Sequence, residues 1–243
     1  MLWQSLGQIC GYIFVHIIYK FTLPSKENYF CSTDYILPFD GKWTVINGGV
    51  DKSLSHAWGI ATQRYAYDFF IVDNDGKSLD GDNQSLQSYY CYGKDVLAPA
   101  DGEVVKISNK HKDSRVNGKK AYCDTWDIRG NFIVMKHAEH EYSLIAHLMP
   151  DSISVNIGDM VKQGTLIAKC GNSGNTSQPH IHFQIQTGES FFISAGLPVA
   201  FCRISTQIKA NYELIDKRKC QGNLQTSNEN VYIGRGLEVE NIV

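Results

Sequence analysis

Near its start the chain repeats apolar residues every three or four positions, at Leu2, Leu6, Ile9, Ile13 and Ile17, which puts them on one stripe of a helix. The apolar stretch 9–19 is broken by His16 and falls short of the ~20 residues needed to span a membrane. No Lys or Arg precedes it, and no small-residue cleavage site is visible before Pro24. Three readings of this segment stay open: an export signal, a helix lying on a membrane surface through residues 6–19, and a helix packed on a core. After Pro24 the pattern changes to short extended runs. They are separated by turn signals such as Asp40-Gly41, Asn47-Gly48-Gly49, Asp75-Gly76 and Asp101-Gly102. Strands are expected over 67–72, 102–108, 132–137, 142–148, 166–169 and 180–186, a few residues each. The texture is that of an all-β domain with one short N-terminal helix. The polar stretches 73–95 and 109–127 read as surface loops inserted between apolar runs.

With 243 residues, 43% of them apolar, the chain is long enough to bury one full core. A formal charge of −2 gives no field for phosphates, so nucleic acid is not expected as a partner. Seven cysteines cannot all pair within one chain, and none has the CxxC spacing of a structural zinc site. Mostly free thiols are expected.

The most informative run is Pro179-His180-Ile181-His182-Phe183-Gln184-Ile185-Gln186. Strand alternation puts His180, His182, Gln184 and Gln186 on one face and Ile181, Phe183 and Ile185 on the core face. Two imidazoles two residues apart on a strand face can share a site, one holding a metal and the other reaching a water or substrate. An HxH pair alone is a common accident. The preceding Gly171-Asn172-Ser173-Gly174 and the segments Val96-Leu97-Ala98-Pro99-Ala100-Asp101-Gly102, Gly130-Asn131-Phe132-Ile133-Val134 and Gly158-Asp159-Met160-Val161-Lys162-Gln163-Gly164 change that weight.

In this order the segments resemble those of the lysostaphin/LytM family of zinc peptidases, over about residues 37–204. The resemblance implies a mainly antiparallel sheet with a substrate groove, floored by the strands bearing Asp68, His147 and His182. The groove would be walled by the 73–95 and 109–127 insertions and the 171–178 loop. It also implies Zn²⁺, with His182 as a ligand, and His180 and His147 as the catalytic pair. Asp68 matches the family's ligand carboxylate, yet the family's HxxxD pattern is broken because Arg64 stands four residues before it. A guanidinium has no lone pair for a metal. Either the site has lost a ligand or the imidazole comes from elsewhere. The run 63–69 also resembles a branch of the family with an earlier ligand histidine, which implies His56, twelve residues before Asp68. Arg64 is then left to orient a carboxylate or a substrate carbonyl.

The expected organisation is an N-terminal helix and lead-in over 1–36, the peptidase domain over 37–204 and an extension over 205–243 of unassigned role. The expected activity is hydrolysis of peptide bonds in bacterial peptidoglycan, in the cell envelope or outside the cell. Two rivals stand beside it: a groove of the same fold that binds cell-wall peptide or activates another hydrolase without cutting, and a sugar-phosphotransfer domain with a paired-histidine strand. The remaining histidines, His16, His111, His137 and His140, read as solvent or packing residues.

Overall fold

The computed structural model describes residues 2–20, 22–82, 85–116, 126–222 and 230–242. Helix α1 (Leu2–Ile18) is followed by β1 (Trp43–Asn47), β2 (Tyr67–Phe70), β3 (Asp95–Leu97), β4 (Gly102–Ser108), β5 (Asn131–Ala138) and β6 (Glu141–Leu148). Then come β7 (Met160–Val161), β8 (Leu166–Lys169), β9 (Ile181–Gln186), β10 (Gly196–Leu197), β11 (Ile204–Ile208) and β12 (Leu237–Asn241). All six expected strands form, with β2 ending at Phe70 and β9 beginning at Ile181. The strands that the pattern did not announce are short or, like β12, alternate apolar with charged residues.

One antiparallel sheet runs in the order β11-β12-β1-β2-β9-β6-β5-β4-β7, with β10 added beside β9 and β3-β8 forming a separate ribbon. The three strands expected to floor the groove are therefore neighbours. Their register sets Asp68 opposite His182, and His182 opposite Ala146 on β6. Alternation then does the sorting: Tyr67, Phe69, Ile181, Phe183, Ile185 and Ile145 enter the main core, with Trp43, Phe39 and Phe201 packed among them. On the other face, Leu144 and Ala146 join Phe132, Val134 and Phe191 in a smaller apolar cluster beside the polar residues of β2 and β9.

Two of the sequence motifs meet at a backbone-to-backbone contact. Gly130 and Gly174 both adopt positive φ, and a Cβ on Gly130 would lie 2.3 Å from the Ser173 carbonyl carbon. A side chain at either position would push the 171–178 loop away from β5. Asn131 secures the same junction from a fully buried position, donating to the carbonyls of His111 and Leu148 while its own N–H reaches Ser173 Oγ at 2.9 Å.

Helix α1 packs by its small-residue side, with Gly7 and Gly11 against Phe192 and the buried Val15 in a cluster with Leu23, Ala61 and Ala195. Its other side exposes Ile9, Ile13, Phe14, Ile17 and Ile18. Among the described residues no helix is long and apolar enough to cross a membrane. Residues 205–243, expected as an extension, complete β11 and supply β12, which lies between β11 and β1 in the main sheet. The tail also supplies the buried Arg235, whose guanidinium donates to the carbonyls of Ile46, Ser53 and Leu54. The six described cysteines are free thiols; Cys123 lies outside the described residues.

Candidate metal centre

Asp68 sits at the centre of the polar face. Its Oδ1 lies 3.0 Å from His182 Nδ1 and 3.6 Å from His180 Nε2, and its Oδ2 lies 3.6 Å from His56 Nε2. One ligand atom from each of His56, Asp68 and His182 lies within 4.8 Å of the others. These spacings suit a tetrahedral zinc site, since bonds of ~2.0–2.1 Å set ligand atoms about 3.4 Å apart. A carboxylate with two imidazoles is a donor set that leaves a fourth position open. The residues fit the ion that the resemblance implies.

His56 reaches this point from a loop. Residues 53–64 fold back onto the end of β2, held by the Arg235 contacts at Ser53 and Leu54 and by Ser55 Oγ donating to the Arg64 carbonyl at 2.8 Å. Arg64 itself does not enter the site, contrary to the expectation that it orients a carboxylate or substrate. Its guanidinium covers the Trp58 ring, 4.8 Å from the centroid, and Nε donates to the Trp58 carbonyl. The aromatic face next to it captures the cation, so Arg64 braces the loop that carries His56.

His147 and His180 stand beside the three candidate ligands, their ring centroids 4.7 Å apart and His147 5.8 Å from His182. His180 is stacked on Phe70 at 4.8 Å. Each of the two has its Nδ1 against a backbone carbonyl, Ser173 O at 2.8 Å for His147 and Gln178 O at 2.9 Å for His180. A carbonyl only accepts, so Nδ1 carries the hydrogen in both rings and Nε2 is left with its lone pair. His147 also takes a positive φ of 64°, held by its N–H on Arg129 O and by Gly171 N–H on its own carbonyl. For a non-glycine residue that conformation costs roughly 1–2 kcal/mol, here spent where a side chain is turned into the site.

The cavity over these groups measures about 320 Å³ and is lined on its floor by Asp68, His147, His180 and His182. Gln63, Ile128, Arg129, Asn175 and Phe191 stand around it. The walls differ from the expectation: of the three segments expected there only the 171–178 loop lines the cavity, and none of the described residues of 73–95 or of 109–127 does. The first insertion closes on itself, with Asp73 capping the turn at Asp75 and Lys77, and touches the 171–178 loop through Ser78 Oγ and Gln178 Oε1 at 2.9 Å. From the second insertion, Ser114 Oγ donates to Gly174 O and so braces the loop from behind. Residues 117–125 lie outside the described residues.

Burial pushes the Asp68 carboxyl up, but the His182 hydrogen bond, followed by the His180 and His56 rings, outweighs it and holds the group well below the usual carboxylate range. Burial lowers His56, His147 and His180, and neighbouring imidazoles add to the lowering at each. Burial also works to lower His182, and there the Asp68 carboxylate reverses the sign, so this ring is raised. Neutral imidazoles at His56, His147 and His180 are the forms that can bind a metal or accept a proton.

Two contributors carried no signal in the sequence. Asn47, which reads only as part of a turn, donates Nδ2 to Asp68 Oδ2 at 2.9 Å. Arg218, in the C-terminal segment, donates to Asn47 Oδ1 at 2.8 Å and is paired with Asp216. The four histidines set aside on sequence stay outside the cavity lining. His137, for example, bridges Asp101 O and Ser143 Oγ.

Residues 83–192 match the sequence profile of Peptidase family M23. The match spans His147, His180 and His182, whereas His56 and Asp68 lie upstream of it. The chain is 30% identical over 117 residues to the cell division protein DipM of Caulobacter vibrioides, a match covering 48% of this chain and 16% of that protein. It is 29% identical over 117 residues to the peptidoglycan DD-endopeptidase ShyB of Vibrio cholerae, covering 47% of this chain and 23% of that protein. Both matches thus span less than a quarter of the relative's length. The catalytic domain of the antimicrobial peptidase lysostaphin from Staphylococcus simulans aligns over 65% of this chain and 88% of that domain, with 19% identity and a TM-score of 0.38.

Proposed function

We propose that this chain, with its lysostaphin-type peptidase segment, is a zinc-dependent endopeptidase that hydrolyses peptide bonds in the cross-links or stem peptides of peptidoglycan. The observation that carries the reading is the meeting of His56, Asp68 and His182 within 4.8 Å, despite Arg64 standing where the usual ligand histidine would be. When bound, zinc supplies a Lewis acid and brings the pKa of its water to about 7. The protein's own part falls to His147 and His180. Their Nε2 lone pairs face the site, and no HExxH glutamate exists in the chain to do proton work in their place. One imidazole accepts the proton of the attacking water at Nε2 and passes it on to the departing amine; the other, once its Nε2 has taken up a proton from solvent, donates to the oxygen on which charge develops. The small apolar cluster with Phe191 beside the site limits water around the reacting carbonyl.

The test is metal content together with cleavage. The purified protein should hold about one zinc per chain and release new amino termini from purified peptidoglycan. A chain that binds no zinc and releases none would instead be a cell-wall binding module. The proposed setting is the bacterial cell envelope, with the exposed face of α1 resting on a membrane surface. Co-sedimentation with phosphatidylcholine vesicles should then be lost in Ile13→Glu/Ile17→Glu, and equal recovery of both proteins with the vesicles would remove the membrane part of the reading.

A further inference from the structure

His182 differs from His147 and His180, the other two buried histidines of the site, in what its ring nitrogens meet. Nδ1 faces Asp68 Oδ1 at 3.0 Å, and Nε2 faces Gln184 Oε1 at 3.1 Å. Which nitrogen carries hydrogen depends on which way the Gln184 amide points, and an amide can be turned over without changing its shape. Here the neighbours decide it. Gln184 Nε2 lies 3.0 Å from the carbonyl of Thr62 and 2.7 Å from Gln186 Oε1, while Gln186 Nε2 lies 2.7 Å from the carbonyl of Gly188. Backbone carbonyls only accept, so each glutamine must present its NH₂ to the carbonyl beside it. Reversing Gln184 would set oxygen against oxygen at Thr62. Reversing both would do the same at Thr62 and at Gly188. Both side chains are fully buried, out of reach of water that could relieve two opposed oxygens, so neither reversal is tolerated.

We propose that Gln184 and Gln186 are positioning residues, forming a relay from the Thr62 and Gly188 carbonyls that assigns Nε2–H to His182 and so makes Nδ1 its metal-facing atom. The proposal rests on the zinc reading given above. It explains why β9 continues its polar alternation two residues past the last candidate ligand and then two more, on a face where every side chain is buried. A further consequence follows for the site itself. With the hydrogen kept on Nε2, the proton that leaves when the ring becomes neutral is the one Nδ1 shares with Asp68, and its loss leaves a lone pair and a carboxylate oxygen facing each other 3.0 Å apart. A cation between them satisfies both. His147 and His180, fixed by carbonyls at Nδ1, offer Nε2 instead. The same residue type is thus sorted into one role or another by the atom that each ring donates to.

The experiment uses the full chain labelled with ¹⁵N-histidine, with long-range ¹H–¹⁵N spectra recorded zinc-free at a pH where His182 is neutral, and again zinc-loaded. The expected result is a protonated Nε2 on His182 in both, with Nδ1 shifting on zinc addition. In Gln184→Met, zinc affinity measured by chelator competition should fall about 10- to 100-fold and the zinc-free ring should show both tautomers; Gln186→Met should show a smaller change of the same kind. Zinc held through Nε2 of His182 overturns the relay, as does a folded Gln184→Met protein with wild-type affinity and a single Nε2–H tautomer. If Gln184→Met does not fold, the wild-type spectra decide alone. A wild type that takes up no zinc sinks the metal reading, and its zinc-free spectrum still decides the tautomer.

Discussion

His56 Nε2 and Asp68 Oδ2 stand 3.6 Å apart although the two residues are twelve positions apart and only Asp68 is on a strand. The displaced imidazole can serve as the third ligand only if its loop is held still. His56→Ala should therefore lose zinc on dialysis and lose cleavage with it, because two ligands hold the ion weakly in water. Arg64→Ala removes the stacking on Trp58 but no donor atom. It should keep the metal and lose about tenfold or less in turnover, since a braced exposed stack is worth about 0.5–1 kcal/mol. Zinc content by mass spectrometry separates the two, and full zinc in His56→Ala would show the ligand set to be wrong.

His147→Ala and His180→Ala should retain about one zinc and lose turnover by about 100- to 10,000-fold, the range expected when a positioned proton carrier is removed. Asp68→Ala and His182→Ala should lose the metal itself. Wild-type rates in either member of the first pair would refute its role.

Asn47 links the metal site to the C-terminal segment through Asp68 on one side and Arg218 on the other. Asn47→Ala should weaken zinc binding by about 10- to 100-fold, the usual effect of removing a hydrogen-bond partner of a ligand. Arg218→Ala should weaken it less, because its guanidinium acts one step further away and is half exposed. A chelator titration that ranks Arg218→Ala below Asn47→Ala in affinity would contradict this order.

Acid should loosen the lead-in segment before it reaches the core. Glu141 is buried and accepts hydrogen bonds from Ser32 N–H, Ser32 Oγ, Thr33 N–H and the Tyr35 hydroxyl. Burial acts to raise its pKa, and those donors together outweigh burial and lower it from 4.5. With the folded value below the unfolded one, the stabilisation is complete above pH 4.5 and is lost as the pH falls through the folded value. Urea unfolding at pH 7 and at about pH 3 should show a large loss in the wild type and a smaller one in Glu141→Gln, which starts less stable. Equal acid sensitivity in both proteins would remove Glu141 as the cause.

Much of the site was legible because strand alternation is a local rule. His182, Gln184 and Gln186 had to share a face once β9 was recognised, and Asp68 needed only one neighbouring strand to meet them. The His56 contribution rests on the resemblance and on Arg64 having no lone pair for a metal, since no periodicity marks a loop that folds back. Asn47 and Arg218 were not legible at all. Their contact joins positions 171 residues apart, and nothing in either local sequence refers to the other. The tail escaped for a related reason: Leu237 to Asn241 alternates apolar with acidic residues over only five positions, too short a run to announce a strand without its partners.

The place of β12 sets an order of events during synthesis. Its residue Val239 pairs with Trp43 on β1, and on its other edge it pairs with β11. While the ribosome is still making the intervening stretch, β1 can join β2 but keeps its outer edge open, and β11 emerges with no strand to lie against. Such edges invite pairing with other chains. The sheet becomes continuous only after residue 241 has been added, and Arg235, arriving just ahead of β12, closes on the carbonyls beside the His56 loop at almost the same moment. A nascent chain therefore gains the full bracing of the His56 loop only once residues 235–241 have been made, so the candidate metal centre is unfinished until the strand that completes the sheet is in place.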